Sequence, residues 1–342
     1  MKRNIIVIGT SSGGVKALKD LVAGFTPEMD ASVFIVWHMP QYAEGLLPRL
    51  LEGYCDWPAG NATDGESIRA RTIYVAPPDH HMILEPGVVR ITKGPKENRF
   101  RPAVDPLFRS AARSYGPQVI GVILSGGLDD GTAGLWTIKS RGGITVVQDP
   151  VEADEPSMPL NALKNVEVDH RLGAGEIGIL LSRLSLTDAN EAPEISEGEM
   201  QKTEIEIQIA SEDGALTRGI RLIGEPSSFS CPDCQGVMLE LKDGKIVRFR
   251  CHTGHAYTAD SFLETVSANV EKELWSSERV IEELVMLLNH LGDELERLGE
   301  SESADRYREK AQNTQRQADA VLELIKNHEL VTAEMLRNEV SA

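Results

Sequence analysis

Three residues in the first half of the chain could together perform nucleophilic chemistry. Ser11 is the central residue of a G-T-S-S-G turn that follows an apolar, strand-like run, and a helical pattern comes next. His38 directly follows the next strand-like run, and Asp130 lies in the glycine-rich turn after a third. Serine can attack an ester carbonyl if a histidine takes its proton and an aspartate orients the imidazole. The pattern therefore predicts a catalytic triad at three strand ends.

Each of these motifs also has a simpler interpretation. A Gly/Ser-rich turn before a helix often binds phosphate, because the N-terminal N–H groups of the helix face the ligand. The turn at Ser11 lacks the G-x-G-x-x-G pattern of a dinucleotide fold and the lysine of a P-loop. A single histidine or aspartate in a loop usually caps a turn or faces solvent. Among these motifs, only the combination of three strand ends favours catalysis.

A second cluster, in the C-terminal half of the chain, has the spacing of a metal site. Cys231 and Cys234 form a C-x-x-C motif, and Cys251 and His255 follow after a predicted β-hairpin that would bring the two pairs together. Three thiolates and one imidazole fit tetrahedral zinc, and a full set of four protein ligands is typical of a structural site. The alternative is free thiols or a redox-active Cys231/Cys234 pair.

The arrangement of elements up to about residue 184 predicts an α/β fold. Short apolar runs read as strands and alternate with helical patterns, which is typical of a doubly wound, mostly parallel sheet covered on both faces. The predicted strands are Asn4–Ile8, Ser32–Trp37, Thr72–Val75, Val119–Leu124 and Ile144–Gln148, and the predicted helices are Val15–Ala23, Gly45–Leu51, Val104–Tyr115 and Thr132–Ser140. In such sheets ligands bind beyond the carboxyl ends of the strands, where the three candidate residues lie.

Composition shifts divide the chain into four predicted parts. Residues 1–184 form the α/β domain, and the acidic stretch 185–203 is predicted to be an exposed linker. Residues 204–258 are predicted to form a zinc-ribbon-like segment that opens with a strand at Glu204–Ala210, where polar and apolar residues alternate. Residues 259–342 carry apolar residues at helical spacing on both sides of Gly299, which predicts a helical hairpin. The hairpin could pack within the monomer or bind a helical partner.

Charge limits the classes of partner that the chain could bind. The net charge is -18, and residues 1–184 carry 19 basic and 21 acidic residues against 16 and 32 in the remainder. This balance offers no basic surface for nucleic acid or for anionic membranes. The N-terminal apolar run is too short for a secretory signal or a membrane span, and the clustered cysteines suit a reducing compartment. We therefore expect a cytoplasmic protein without membrane insertion.

The first 184 residues resemble the catalytic domain of the CheB-type chemotaxis protein-glutamate methylesterases. The similar stretches are IGTSSGG, VWHMP, YVAPPDHHM, RPAVDPLF, LSGGLDDG, GGITVVQDP and MPLNAL, in the order of that family. The resemblance implies that the nucleophile, base and orienting acid fall on Ser11, His38 and Asp130, with no cofactor needed for catalysis. It also implies an oxyanion or substrate site, whose candidates are Ser12 through its backbone N–H, Gly127 and His81.

The chain departs from this family at two points. The family usually has Gly-Met-Gly before its Asp-Gly turn, whereas this chain has Gly126-Gly127-Leu128, so the methionine expected near the oxyanion is missing. Family members in chemotaxis also carry a receiver domain before the catalytic domain, but the first catalytic strand here is predicted at residue 4. Control through such a receiver is therefore not expected from this sequence.

Two functions remain open at this point. The first is hydrolysis of glutamate methyl esters on chemoreceptor-like helical proteins, with possible deamidation of glutamine as a second reaction. The second is a signalling adaptor, in which an inactive esterase domain carries a zinc ribbon and a helical hairpin that bind partners. The complete set of Ser11, His38 and Asp130 favours the enzyme, whereas the changed turn at Gly127 favours the adaptor.

Overall fold

The computed structural model describes residues 1–39, 46–211, 217–332 and 335–336. The first residue of the predicted helix Gly45–Leu51 and parts of the predicted segment 259–342 lie outside the described residues.

The N-terminal part is built on a parallel seven-stranded sheet with the strand order β10-β9-β8-β1-β2-β5-β3. A separate antiparallel sheet, β4-β7-β6, contains the hairpin that turns at residues 86–87. The strands are β1 Ile5–Thr10, β2 Ser32–Trp37, β3 Ala59–Asn61, β4 Glu66–Ser67, β5 Thr72–Val75, β6 His81–Glu85, β7 Val88–Thr92, β8 Val119–Ile123, β9 Ile144–Gln148 and β10 His170–Leu172. The helices are α1 Gly14–Ala23, α2 Leu47–Glu52, α3 Val104–Tyr115, α4 Thr132–Ser140, α5 Ser157–Asn165 and α6 Ala174–Ser185.

Burial on both faces explains why the strands are continuous apolar runs. Every residue of β1 is buried, and its side chains alternate between two cores. Val7 packs in the core with α3 and α4, whereas Ile6 and Ile8 pack in the core with α1 and α6. The predicted doubly wound α/β fold is therefore confirmed.

The topology brings the three candidate residues to one edge of the sheet. After β1, the chain first adds strands on one side of it, β2 and β5, and later adds β8 and β9 on the other side. Such a reversal of strand order opens a crevice at the carboxyl ends of the strands. Ser11 follows β1, His38 follows β2, and Asp130 lies on the turn after β8.

The predicted strand at Glu204–Ala210 is wrong, because these residues belong to helix α7, Glu197–Ser211. The residues alternate in type, but Ile205 and Ile209 are also four apart, as one helix face requires. They pack with Leu239 and Leu241 in a small core. The helix also buries Glu206, which a half-buried strand would have turned towards solvent.

An antiparallel sheet follows α7 and contains the cysteine cluster. Its strands are β11 Glu225–Ser230, β12 Val237–Asp243, β13 Ile246–Cys251 and β14 Ala256–Thr258, in that order across the sheet. We call this sheet the ribbon. The predicted hairpin between β12 and β13 is present. Residues 1–261 form one compact unit, so the ribbon packs with the catalytic domain. The division of the chain into four independent parts stays a prediction.

Residues 262–342 form a second compact unit. It contains most of helix α8, Ala259–Arg297, and helix α9, Ser301–Lys326, with Gly299 at a positive φ of 84° in the turn between them. The predicted helical pair is therefore present. Small residues of α9, including Ala304, Ala311 and Ala318, are buried. In the part of the chain that the structure describes, no helix is both long and apolar enough to cross a membrane.

Candidate functional site

Ser11 and His38 line one crevice at the carboxyl edge of the sheet. The crevice has a volume of about 300 Å³ and is bordered by Ser11, Ser12, Gly13, Val15, Lys16, Trp37, His38 and Asp154. The backbone N–H of Ser11 donates to the carbonyl of Ser125 at 2.9 Å, which ties the first turn to the strand end of β8. The His38 N–H donates to the carbonyl of Thr10 at 3.1 Å. Both candidate residues are thus held by backbone bonds to neighbouring strands.

Two glycines allow the turns around Ser11 to approach each other closely. Gly13 has a positive φ of 74°, and a Cβ at this position would lie 2.5 Å from Oγ of Ser125. A Cβ at Gly126 would lie 2.8 Å from Cβ of Ser11 and 2.1 Å from Sδ of Met158. Any side chain at either position would therefore displace the turn that presents Ser11.

His38 and Asp130 form a buried hydrogen-bonded pair. Nε2 of His38 lies 2.7 Å from Oδ2 of Asp130, and both side chains are almost fully buried. The imidazole stacks on Phe100, with ring centroids 3.7 Å apart and planes at 7°. Nδ1 of His38 is buried and has no hydrogen-bond partner among the described residues. The ring is thus fixed through Nε2, and Nδ1 is its unpaired nitrogen.

The start of α3 stabilises the charge on Asp130. The N–H of Val104 donates to Oδ2 at 2.7 Å and the N–H of Asp105 to Oδ1 at 3.3 Å, so Asp130 caps a helix that has no side-chain cap of its own. Burial alone would raise the pKa of Asp130, but His38, the Val104 N–H and the side chain of Asn98 hold it below its usual value. Asp130 therefore remains a carboxylate that can stabilise an imidazolium.

Two further carboxyl groups lie beside Asp130 with different electrostatics. Burial and the neighbouring Asp130 raise the pKa of Asp105 to about 7. Burial raises the pKa of Asp129 to about 8, against the effect of the hydrogen bond from Thr258. Of the two adjacent aspartates in this turn, only Asp130 bonds to His38. Asp130 is therefore the better placed of the two to orient His38.

Of the three predicted oxyanion and substrate residues, Ser12 lines the crevice, whereas Gly127 and His81 do not. Ser12 lines the crevice beside Ser11. Gly127 is not among the residues that line it, although a side chain there would meet no atom within 4 Å. His81 does not line the crevice either, and its ring is fully buried. Its Nε2 donates to the carbonyl of Pro95 at 2.9 Å, and its Nδ1 accepts from the N–H of Ala103 at 3.3 Å. His81 thus supports the segment that precedes α3.

The four predicted metal ligands lie together in the ribbon. Their ligand atoms all lie within 4.8 Å of one another in the group Cys231, Cys234, Cys251 and His255. The Cys234 and Cys251 sulfurs are 3.6 Å apart, and Nδ1 of His255 lies 3.7 and 3.6 Å from the Cys231 and Cys251 sulfurs. A tetrahedral zinc with Zn–S bonds of 2.3 Å requires sulfur separations of about 3.8 Å. The donor set and its spacing therefore fit one zinc ion.

A buried ionic network joins the ribbon to the catalytic domain. Glu97 lies between Arg109 of α3 at 2.5 Å and Arg250 of β13 at 2.8 Å. Arg250 also contacts Glu206 of α7 at 2.9 Å, and Arg248 forms a bidentate salt bridge with Glu206. All five side chains are at most 3% exposed. Each of these buried charges is compensated by a charge from another segment of the chain, so the network is complete only when α3, α7 and β13 pack together.

Sequence reasoning did not identify several residues of the site. Phe100, which stacks on His38, and Asn98, which bonds to Asp130, come from the segment before α3. Trp37 and Asp154 border the crevice. Only Trp37 had a signal, because it ends the strand that precedes His38. The others reach the site from distant positions and follow no local spacing rule.

The site can be compared with known proteins. The family model described as CheB methylesterase matches residues 6–181. A Leptospira interrogans relative with the provisional name protein-glutamate methylesterase/protein-glutamine glutaminase is 36% identical over 185 residues, which cover 54% of this chain and 96% of the relative. A Rhodospirillum rubrum protein-glutamate methylesterase/protein-glutamine glutaminase is 34% identical, over 47% of this chain and 45% of the relative.

A solved structure gives the same result at the level of the fold. The catalytic domain of the CheB methylesterase from Thermotoga maritima is 31% identical, with a TM-score of 0.50, over 53% of this chain and 98% of that domain. The matches fall on the half of the chain that holds the parallel sheet and the crevice. The chain therefore belongs to the CheB methylesterase family, a family of carboxylic ester hydrolases.

Proposed function

We propose that the chain hydrolyses methyl esters of protein glutamate side chains through Ser11, His38 and Asp130. The observation that carries this proposal is the buried pair of His38 and Asp130 beside the crevice that Ser11 lines. A histidine fixed through one nitrogen and unpaired at the other can accept a proton from a serine that shares its crevice. Because Asp130 is held as a carboxylate, it stabilises the imidazolium that forms.

The reaction follows from these roles. Oγ of Ser11 attacks the ester carbonyl, and its proton moves to Nδ1 of His38. The bond to the methoxy group then breaks, and His38 returns the proton to the leaving oxygen, which departs as methanol. Water attacks the remaining glutamyl ester of Ser11 with His38 again as base, and this releases the glutamate carboxylate and restores Ser11. A glutamine side chain would follow the same route and release ammonia.

The oxyanion of the tetrahedral intermediate needs donors close to Ser11. Ser12 is the candidate, because its backbone N–H lies on the turn between Ser11 and the start of α1, where peptide dipoles favour negative charge. Gly127 is a second candidate, because the neighbouring Gly126 packs against Ser11, although Gly127 does not line the crevice. A methionine at Gly127, as the family usually has, would find open space.

The substrate is proposed to be a methylated, chemoreceptor-like helical protein. Relatives of this chain carry the names protein-glutamate methylesterase and protein-glutamine glutaminase, which describe reactions on protein side chains. A crevice of about 300 Å³ at the protein surface can accept one glutamate methyl ester from such a surface. The exposed residues Ser12 and Lys16 lie at its border, where the backbone of a protein substrate would pass.

Methanol release tests this function. We expect the purified chain to release methanol from methylated receptor fragments, and Ser11→Ala to lower kcat by at least about a thousandfold. Ser12→Ala is the matched control, because it removes a neighbouring hydroxyl but keeps the backbone N–H of the turn. Loss of activity in Ser12→Ala with retention in Ser11→Ala would move the nucleophile by one residue. No methanol from the folded wild-type chain would favour the adaptor instead.

We further propose that the cluster of Cys231, Cys234, Cys251 and His255 binds one structural zinc ion. The three cysteines are free thiols, and the four ligand atoms lie within 4.8 Å of one another, close enough to bind a single ion. A closed set of four protein ligands leaves no position for a catalytic water, so the ion would stabilise the ribbon. Since free thiols persist in reducing compartments, this cluster also supports a cytoplasmic location. Elemental analysis should find one zinc per chain, and Cys231→Ser should abolish it.

A further inference from the structure

The ribbon reaches the candidate triad through one side chain, Asn98. Its Nδ2 donates to Oδ1 of Asp130 at 2.8 Å and to Oδ2 of Asp105 at 3.0 Å. Its Oδ1 accepts from the N–H of Thr258 at 2.9 Å and from the hydroxyl of Ser261 at 3.3 Å. Asn98 therefore joins the orienting carboxylate of the catalytic domain to the last strand of the ribbon.

The backbone around Asn98 is also attached to that strand. The N–H of Asn98 donates to the carbonyl of Ala256 at 2.7 Å, and the N–H of Ala256 donates to the carbonyl of Lys96 at 3.2 Å. Asn98 itself has a positive φ of 50° and is only 3% exposed. Asparagine tolerates this left-handed conformation better than most residues, but it still needs neighbours that hold it.

The same strand is continuous with the metal cluster. Ala256, the first residue of β14, directly follows His255, and the carbonyl of His255 accepts from the N–H of Cys251 at 2.9 Å. A second hydrogen bond also joins β14 to this turn: the hydroxyl of Thr258 donates to Asp129 at 2.6 Å. Both residues of the Asp129-Asp130 turn are therefore connected to the ribbon, directly or through Asn98.

We propose that Asn98 is a positioning residue for Asp130 and that the metal-bound ribbon, through β14, holds Asn98 in place. The inference rests on the proposed roles of His38 and Asp130. Asn98 supplies one side-chain donor to Oδ1 of Asp130, whose other oxygen bonds to His38. Loss of that donor frees the carboxylate to rotate and weakens its bond to the imidazole. The ribbon then helps to hold the active site in place, although it lies outside the residues that match the catalytic domain of the family.

The substitution Asn98→Asp tests the first half of the proposal in the full-length chain. It keeps the size, the tolerance of positive φ and the acceptor towards Thr258. Above about pH 8, where the neighbouring buried carboxyl groups are ionised, the new carboxylate has no donor for Asp130, so the comparison is made there. We expect kcat to fall by about 10- to 100-fold with KM unchanged. Asn165→Asp, in α5, is the matched control.

A second readout is independent of turnover. The proton between His38 and Asp130 should give a low-field proton NMR signal in the wild-type chain, which Asn98→Asp should weaken or shift and Asn165→Asp should not. If the wild-type chain releases no methanol, the proposed function fails, and this signal still decides the inference. An Asn98→Asp chain with wild-type kcat and an unchanged signal would overturn the role of Asn98.

The ribbon's part is tested at its metal site. Cys231→Ser should lose the metal, lower kcat and weaken the His38 signal, whereas Cys55→Ser, outside the cluster, should change none of them. If Cys231→Ser does not fold, graded chelation of the wild-type chain gives the same comparison. Metal loss with kcat and the His38 signal unchanged would overturn the dependence of the triad on the ribbon.

Discussion

The chemistry of the site depends on how three buried carboxyl groups are distinguished from one another. Asp130 receives a hydrogen bond from His38 and two from the start of α3, and these keep its pKa low. Asp129 and Asp105 are also buried, but their pKa values are raised. A sequence pattern can place an aspartate on the turn, but only the packing of α3 selects which one is charged.

His38 and Asp130 should act as one unit with Ser11. If both serve the same proton transfer, replacing either with Ala in a Ser11→Ala background should add little to the loss caused by Ser11→Ala alone. Measured kcat values for the single and double variants, with melting temperatures as the control for folding, check this. Losses that multiply across the double variants would show that His38 or Asp130 serves the fold instead.

Asp129 should make stability depend on pH. Its folded pKa of about 8 lies above the usual 3.8, because it is buried and faces Asp260, Asp105 and Asp130 besides Thr258. Unfolding therefore releases its proton, and its stabilising contribution, complete below about pH 4, is lost as the pH rises to about 8. Asp129→Asn should raise the melting temperature at pH 8 much more than at pH 4.

A calorimetric pH series on both chains provides the measurement for Asp129. The substitution keeps the acceptor for the Thr258 hydroxyl, so packing changes little between the two proteins. The same difference in melting temperature at pH 4 and pH 8 would contradict the raised pKa of Asp129.

At the scale of elements, α7 shows what a local pattern could not predict. Alternating residues at 204–210 predict a strand, but the helix buries Glu206 against two arginines of β13. Such a pairing depends on Arg248 and Arg250, which lie more than 40 residues away in sequence. By contrast, β1, β2 and β8 were predictable, because burial on both faces leaves an apolar run in each. Ser11, His38 and Asp130 follow these strands, as the pattern predicts, whereas their catalytic roles stay a prediction.

Glu206→Gln should destabilise the unit formed by residues 1–261. Removing one charge leaves Arg248 and Arg250 incompletely paired in the interior, and breaking a buried pair costs about 3–5 kcal/mol. Glu204→Gln is the matched control on the same helix, since its pair with Arg113 is over 40% exposed on both sides and should contribute less than about 1 kcal/mol. Urea unfolding of both variants gives the two values. Equal effects would contradict the structural role of the network.

For the whole molecule, the ribbon is an integral part of the unit that holds the catalytic domain. Sequence composition predicts that residues 1–184 fold independently of the segment that follows the acidic linker. In the structure, Glu97 of the catalytic domain is buried against Arg250 of the ribbon, and Asn98 bonds to Thr258. Composition predicts a linker at residues 185–203, whereas α7 begins at Glu197. Composition could not show the contacts of Glu97 and Asn98, because they join residues that are 150 or more positions apart.

Metal removal should therefore affect the catalytic domain as well as the ribbon. We expect residues 1–261 of the full chain to unfold in one calorimetric transition, and a chelator to lower its midpoint, because a ligand that binds only the folded state stabilises it. Cys55→Ser, compared with Cys231→Ser, controls for the loss of a thiol. A separate upper transition that the chelator leaves unmoved would show that the catalytic domain folds alone.

The central claim is that Ser11 is a nucleophile activated by His38 and Asp130. The most direct measurement is covalent labelling of the full-length chain with a phosphonate ester probe that reacts with activated serines, followed by mass spectrometry of the digested protein. We predict one label per chain on Ser11, with none in Ser11→Ala and slower labelling in His38→Ala. A label on Ser12, or labelling of Ser11→Ala at the wild-type rate, would contradict the account.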